Sequence, residues 1–238
     1  MQFIAPLLGM DRRDVLVNVM FDHINRFKDD PREFLRRQMR DFFGLADEDL
    51  PRGLDEEGLF DLYRARLKKE GKLDYAADLA IPHPTVERTK FRLVVGGRHP
   101  AIIELFRDIE RKVIGEEAAS IRGDASRRAE EAKTRQLSFD TMDPTTDPRY
   151  ESLHAQGLRC AGADVLALLA GGKVLFQKVW PRVLEKRHIT KVELAHLVWA
   201  MRDRNEVAIV NDKPKERTTN DRHRLVLRKE EGTPPART

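Results

Sequence analysis

Eight side chains near the C-terminal end are of the right type to meet a polyanion: Lys191, His196, Arg202, Arg204, Lys213, Lys215, Arg217 and Arg222. Lysine and arginine neutralise phosphates and release condensed counterions, so binding of this kind weakens steeply with salt. The cationic surplus is local. Lys173 to Glu230 holds 15 Lys/Arg against 8 Asp/Glu, whereas residues 1–172 hold 28 against 31. These side chains predict contact with DNA or RNA. The competing readings are a plain solvated surface, or a module that docks another protein.

Other residues suggest chemistry more weakly. Read as one helix, residues 11–28 place Asn18, Asp22, Asn25 and Arg26 on a single face. That strip would line a polar cleft, or form an internal network with Asp22 and Arg26 as an i,i+4 pair. Trp199, opposite the apolar stripe of its helix, either contacts a partner or packs under a neighbouring hairpin. His83 and His99 have no second ligand at metal spacing, so no metal site is expected. Cys160 stands alone, which excludes an internal disulfide and favours a buried thiol over a nucleophile. The chain carries neither a phosphate-binding Walker loop nor a nucleophile elbow.

The elements that must carry these residues follow from periodicity and punctuation. Helices are predicted over 11–28, from about Arg32 to Phe43, and from Asp55 to Gly71 with Leu59, Leu62, Tyr63 and Leu67 inward. Leu73–Ile81 and Lys90–Val95 read as a hairpin. A helix from Pro100 to Ile114 would bury Ile102, Leu105, Phe106 and Ile109. Residues 116–137 read as a solvated helix or linker, and DTMDPTTDPRY as a loop.

The C-terminal region is more explicit. AGADVLALLA (161–170) is a short apolar helix, and Val174–Phe176 a brief strand. A helix follows from about Lys178, placed there so that Pro181 falls in its first turn. Thr190-Lys-Val-Glu193 is a capping box that opens a helix with Leu194, Leu197, Val198 and Met201 inward. Val207–Val210 and Arg224–Arg228 flank a basic loop. Helix, strand, helix, capped helix and a two-stranded wing make the order of a winged helix-turn-helix, with the capped helix in a groove and the wing along phosphates.

These blocks resemble a known family. LLGMDRRDVLVNVMFDHINRF is similar to the Asn-Arg-Phe helix of the three-Cys-motif partner proteins. FDLYRARLKKEGKLDYA, RLVVGGRHPAIIELF and GKVLFQKVWPRVLEKRHITKVELAHLVWAMRDRNEVAIVN resemble its later blocks and its appended winged helix. The resemblance covers most of residues 1–115 and 153–228. It implies an α/β, methyltransferase-like Rossmann half followed by a winged helix, and association with a radical-SAM-type three-Cys protein. The family's glycine-rich front half is missing here, and Gly96-Gly97 lacks the spacing that seats a dinucleotide-like cofactor. S-adenosylmethionine (SAM) would therefore bind only if that N-terminal half were supplied. The chain is read as the C-terminal part of such a protein, and not an enzyme on its own.

The expected organisation is an α/β (α+β) chain: an incomplete Rossmann-like region over 1–115, a charged linker over 116–152, a winged helix over 153–230 and a polar tail over 231–238. The composition, 40% hydrophobic and 35% charged, suffices for packed cores. With no apolar run of about 20 residues, no signal-peptide pattern and a single cysteine, a cytoplasmic protein is expected. An open strand edge in the hairpin predicts a covering partner or a homo-oligomer.

Overall fold

The computed structural model describes residues 14–45, 50–83, 88–117, 124, 128, 131–133, 148–213 and 215–228. It is a mixed α+β chain with two three-stranded antiparallel sheets. The chain divides into two compact units, Met1–Ser152 and Leu153–Thr238.

In the first unit, β1 (Val15–Met20) leads into α1 (Phe21–Phe27), α2 (Glu33–Phe43) and α3 (Glu56–Gly71). β2 (Tyr75–Pro82), β3 (Thr89–Gly97) and α4 (Ala101–Glu110) follow. A π-helical turn over Arg111–Glu117 continues α4. The strand order is β1-β3-β2. β1 and β2 are both antiparallel to β3 and hence parallel to each other, joined by the crossover through α1, α2 and α3.

The expected helix over 11–28 is corrected here: its described part is a strand followed by a short helix. In V-L-V-N-V-M every second residue is β-branched, a pattern that suits a pleated surface and restricts a helix. Val15, Val17 and Val19 take the inner face, while Leu16, Asn18 and Met20 are exposed. Leu16 and Met20, read as helix core, instead stand 65% and 62% exposed.

The valine face of the sheet packs on the three helices. Val19 and Val94 meet Phe21 and Ile24 of α1, Met39 and Phe43 of α2, and Leu59, Phe60, Tyr63 and Leu67 of α3. Asp55 caps α3 by accepting from the Gly58 N–H at 2.8 Å. Gly71 is the last helical residue, and Lys72 takes the left-handed turn at φ 50°. Burial pushes the Tyr63 phenol up to about 12.

Ion pairs lie inside this unit. Asp78, 1% exposed, pairs with Arg92 at 2.5 Å and also with Arg64. Arg92 extends to Glu56 and Glu57, both at 2.8 Å, and its guanidinium lies over the Phe60 ring. Desolvation lowers the Arg64 pKa, against the pull of Asp61 and Glu57.

α4 lies against β2 and β3 with Ile103 and Phe106 buried. The stripe expected there is corrected, because Leu105 and Ile109 are 55% and 49% exposed. Arg107 and Glu110 take the inner positions instead. They satisfy each other at 2.5 Å, and Arg107 donates to the Asp78 carbonyl at 3.1 Å. The buried face of this helix thus combines Ile103 and Phe106 with an inward charge pair, which apolar spacing alone cannot reveal.

α5 (Pro148–Leu169) begins before the division and belongs to the second unit from Leu153 on; β4 (Val174–Leu175), α6 (Phe176–Leu184), α7 (Lys191–Asp203), β5 (Val207–Ile209) and β6 (Arg224–Leu227) follow it. The sheet of this unit is ordered β4-β6-β5, with β6 antiparallel to both neighbours. α5 runs 22 residues and begins at Pro148, so the end of the expected 140–150 loop is helical. α6 starts two residues before the expected Lys178, so Pro181 lies in the second turn and is buried there. The core gathers Val165 and Leu169 of α5, Phe176, Val179 and Val183 of α6, and Leu194, Val198 and Met201 of α7, each at most 1% exposed. Cys160 is half-buried rather than fully enclosed.

Candidate nucleic-acid interface

The geometry of the second unit begins at Thr190. Its hydroxyl oxygen accepts from the Glu193 N–H at 3.3 Å, and the Glu193 carboxylate accepts from the Thr190 N–H at 2.8 Å. This capping box fixes where α7 starts and which residues face out. Burial opposes the charge on Glu193. Bonds from the Thr190 N–H and hydroxyl, and from His154 at 2.9 Å, outweigh it and hold the carboxyl below its ordinary value.

With the start fixed, the outward face of α7 carries Val192, 63% exposed, then His196 and Asp203. None is a lysine or an arginine. The cations at the two ends of the helix are engaged by acids. Lys191 pairs with Asp221 at 2.9 Å and lies over the Trp180 ring at 4.5 Å. Arg202 pairs with Asp203 and Asp212, each at 2.7 Å. Arg204 pairs with Glu206 at 2.6 Å.

Trp199 is buried, at 7% exposure. The Arg202 guanidinium sits 3.8 Å from its ring centroid, and His223 lies 6.2 Å away on the returning strand's approach. The reading of Trp199 as an exposed partner contact is therefore corrected: the ring is covered from the hairpin side.

The segment between β5 and β6 is held from within. Asn211 donates to the Arg222 carbonyl and accepts from the Arg224 N–H, closing the base of the loop. Glu216 accepts from the Lys213 N–H at 2.7 Å and bonds the His223 ring at 2.9 Å. The Lys213 backbone bond, then the imidazole, lower the Glu216 pKa. His223, 2% exposed, also accepts from the Asn220 N–H. Asp221 accepts from the Trp180 indole N–H at 2.9 Å as well as from Lys191.

The loop's charges are thereby sorted. Its three acids, Asp212, Glu216 and Asp221, are all engaged with Arg202, with His223, and with Trp180 and Lys191 respectively. Its cations Lys213, Lys215, Arg217 and Arg222 are exposed, as is Arg224 at the start of β6. Among the described residues, Lys215, Arg217 and Arg222 meet no acid at ion-pair distance. The eight nominated residues thus separate: Lys191, Arg202 and Arg204 work as local struts, His196 is exposed on α7, and four cations line the loop. Arg224 was missed because it reads as a strand residue. Asp221, Glu216 and His223 were missed because their partners lie seven to forty-one residues away.

In the first unit the proposed polar strip is not a single face. Asn18 is on β1, while Asp22, Asn25 and Arg26 are on α1. Asp22 pairs with Arg88 at 3.4 Å rather than with Arg26. A groove of about 570 Å³ opens beside the junction of β1 and α1, lined by Met20, Ile24, Met39 and Phe42 with His23 and Gln38 among its polar groups. Among the described residues no group of three or more His, Cys, Asp or Glu is arranged to hold a metal ion. No helix among them is long and apolar enough to cross a membrane.

Comparison with protein-family models, with curated proteins and with solved structures finds no match to this chain.

Proposed function

We propose that the second unit is a winged helix that binds nucleic acid through its wing, the loop between β5 and β6. The observation that carries this reading is the sorting of charge in that loop. Each acid of this loop is engaged by a neighbouring side chain, whereas Lys215, Arg217 and Arg222 are exposed and meet no acid at ion-pair distance among the described residues. Exposed cations without an acidic partner attract phosphates without reading base sequence. The helix order and the β4-β6-β5 sheet support the winged-helix assignment. The cations of α7, tied to acids, no longer support the view that this helix supplies the affinity.

Fluorescence anisotropy with a labelled DNA duplex, and separately with RNA, tests the reading. Affinity should fall linearly on a log–log plot against salt, by about 0.9 per phosphate neutralised on B-form DNA. The triple variant Lys215→Glu, Arg217→Glu, Arg222→Glu should remove most of the binding. A variant that binds as tightly as the parent would refute the proposal.

A second reading concerns the first unit, as part of a methyltransferase-like α/β fold of the three-Cys-motif partner type. What favours it is the helical crossover between β1 and β2, which run in the same direction on either side of β3, with a groove beside the carboxyl end of β1. Open α/β sheets place ligands at such strand ends. The residues described here provide no glycine turn to seat SAM, so on this reading a glycine-rich half would supply the cofactor site, and a radical-SAM-type protein would be a functional partner. Calorimetric titration with SAM should give no heat with this chain alone and clear binding once such a half is co-purified. Absence of binding in both cases removes the reading.

A further inference from the structure

The two edges of the β1-β3-β2 sheet are unequal. β2 ends on Pro82, which has no N–H to offer, and its pairing with β3 shifts at Ile81/Pro82. It also carries the inward charge of Asp78. A proline, a bulge and an inward charge are devices that stop a sheet from adding strands. β1 has none of them. It is six residues long, uncharged, and regularly paired with β3 from Val15 to Met20. In the other sheet the edge strands are only two and three residues long. Among the described residues, β1 is the long unguarded edge.

From this we infer that β1 pairs antiparallel with β1 of a second copy of the chain, joining two three-stranded sheets into one. The sequence V-L-V-N-V-M is self-complementary in a two-fold arrangement centred on Asn18. Leu16 then opposes the partner's Met20, Val17 opposes the partner's Val19, and Asn18 opposes the partner's Asn18. The valine faces stay continuous, and the exposed Leu16 and Met20 gain apolar neighbours. Because the strand has no charge, no like charges meet across the axis. Centring on Val17 would set Leu16 against Asn18, and a one-residue slip would turn valines toward the wrong face. Two-fold symmetry closes the assembly at two copies, because each chain has one such edge.

Sedimentation velocity on the full chain, over roughly 1–100 μM as suits a small contact, should show a monomer–dimer equilibrium. Asn18→Lys places two like charges opposite each other and should weaken the dimer by about fivefold or more. Asn18 is exposed, so the variant should keep its fold, which far-UV circular dichroism checks. In a Cys160→Ser background, Asn18→Cys should cross-link to itself on oxidation, since opposed strand residues sit about 4.5–5.5 Å apart at Cα. Leu16→Cys in the same background should not, because it opposes methionine. A monomer throughout this range overturns the inference, as does a dimer indifferent to Asn18→Lys. Equal cross-linking at positions 16 and 18, or a monomer that takes up a strand from a different protein at β1, overturns it too.

Discussion

The Trp180 indole N–H donates to the Asp221 carboxylate at 2.9 Å, tying the approach to β6 onto a buried residue of α6. The second carboxylate oxygen takes Lys191 from the start of α7. One acid therefore anchors the loop between β5 and β6 to both helices, α6 and α7.

Replacing that acid tests the anchor. We predict that Asp221→Ala destabilises the second unit by about 1–2 kcal/mol, since it leaves a buried indole N–H without its acceptor. Both tryptophans, Trp180 and Trp199, lie in this unit, so tryptophan fluorescence in urea reports it alone. An unchanged midpoint would show that this loop does not depend on the contact.

The capping box makes stability depend on acid pH. The Glu193 carboxyl titrates below its ordinary 4.5 in the folded chain, so its contribution is present above that value and lost as pH falls through the folded one. The urea midpoint should therefore drop as pH falls below the ordinary 4.5, and Glu193→Gln should shrink that drop. Thr190→Ala should cost about 1 kcal/mol at neutral pH, as loss of an N-cap does. A pH dependence identical in Glu193→Gln and parent would exclude this carboxylate as its source.

Two arginines of the second unit should behave differently on nucleic acid. Arg217 is exposed on the loop between β5 and β6, and on the proposed function Arg217→Ala should reduce the salt slope of binding by about 1. Arg202 is held by Asp203 and Asp212 and stacked on Trp199, so Arg202→Ala should change the unfolding midpoint and leave the slope alone. Equal effects of the two on the slope would mean that the acids do not screen Arg202.

In the first unit, Asp78→Ala leaves Arg92, 3% exposed, with only the less buried Glu56 and Glu57, and takes an acid from Arg64 as well. Removing one partner of a buried pair costs about 3–5 kcal/mol, whereas replacing both with apolar residues costs much less. Amide hydrogen exchange should show protection falling across β2 and β3 in Asp78→Ala and partly restored in Asp78→Leu/Arg92→Leu, since Arg64 still loses its contact with Asp78. Tryptophan fluorescence, reporting the other unit, serves as the control.

Local signals in the sequence located most of the elements. Asp55 and Thr190 announced their helices because a cap acts within three residues of itself. The two short runs of β2 and β3, set off by prolines, polar residues and Gly96-Gly97, and the order of elements after residue 160, were equally legible. β1 was misread because Leu16, Met20, Ile24 and Phe27 match helical spacing as well as they permit a strand. The choice fell to β3, whose edge it pairs with some seventy-five residues away.

Chain chemistry by itself determined that cations concentrate after Lys173 and that a capped helix and a hairpin follow one another there. Which cations face solvent was settled only in three dimensions. Charges are neutralised by whatever lies within a few ångströms, and folding sets those neighbours: Asp221 reaches Lys191 across thirty positions, and Asp212 reaches Arg202 across ten. The same holds inside the first unit, where the charge pair of Arg107 and Glu110 lies on the buried face of α4 and Leu105 and Ile109 lie outward.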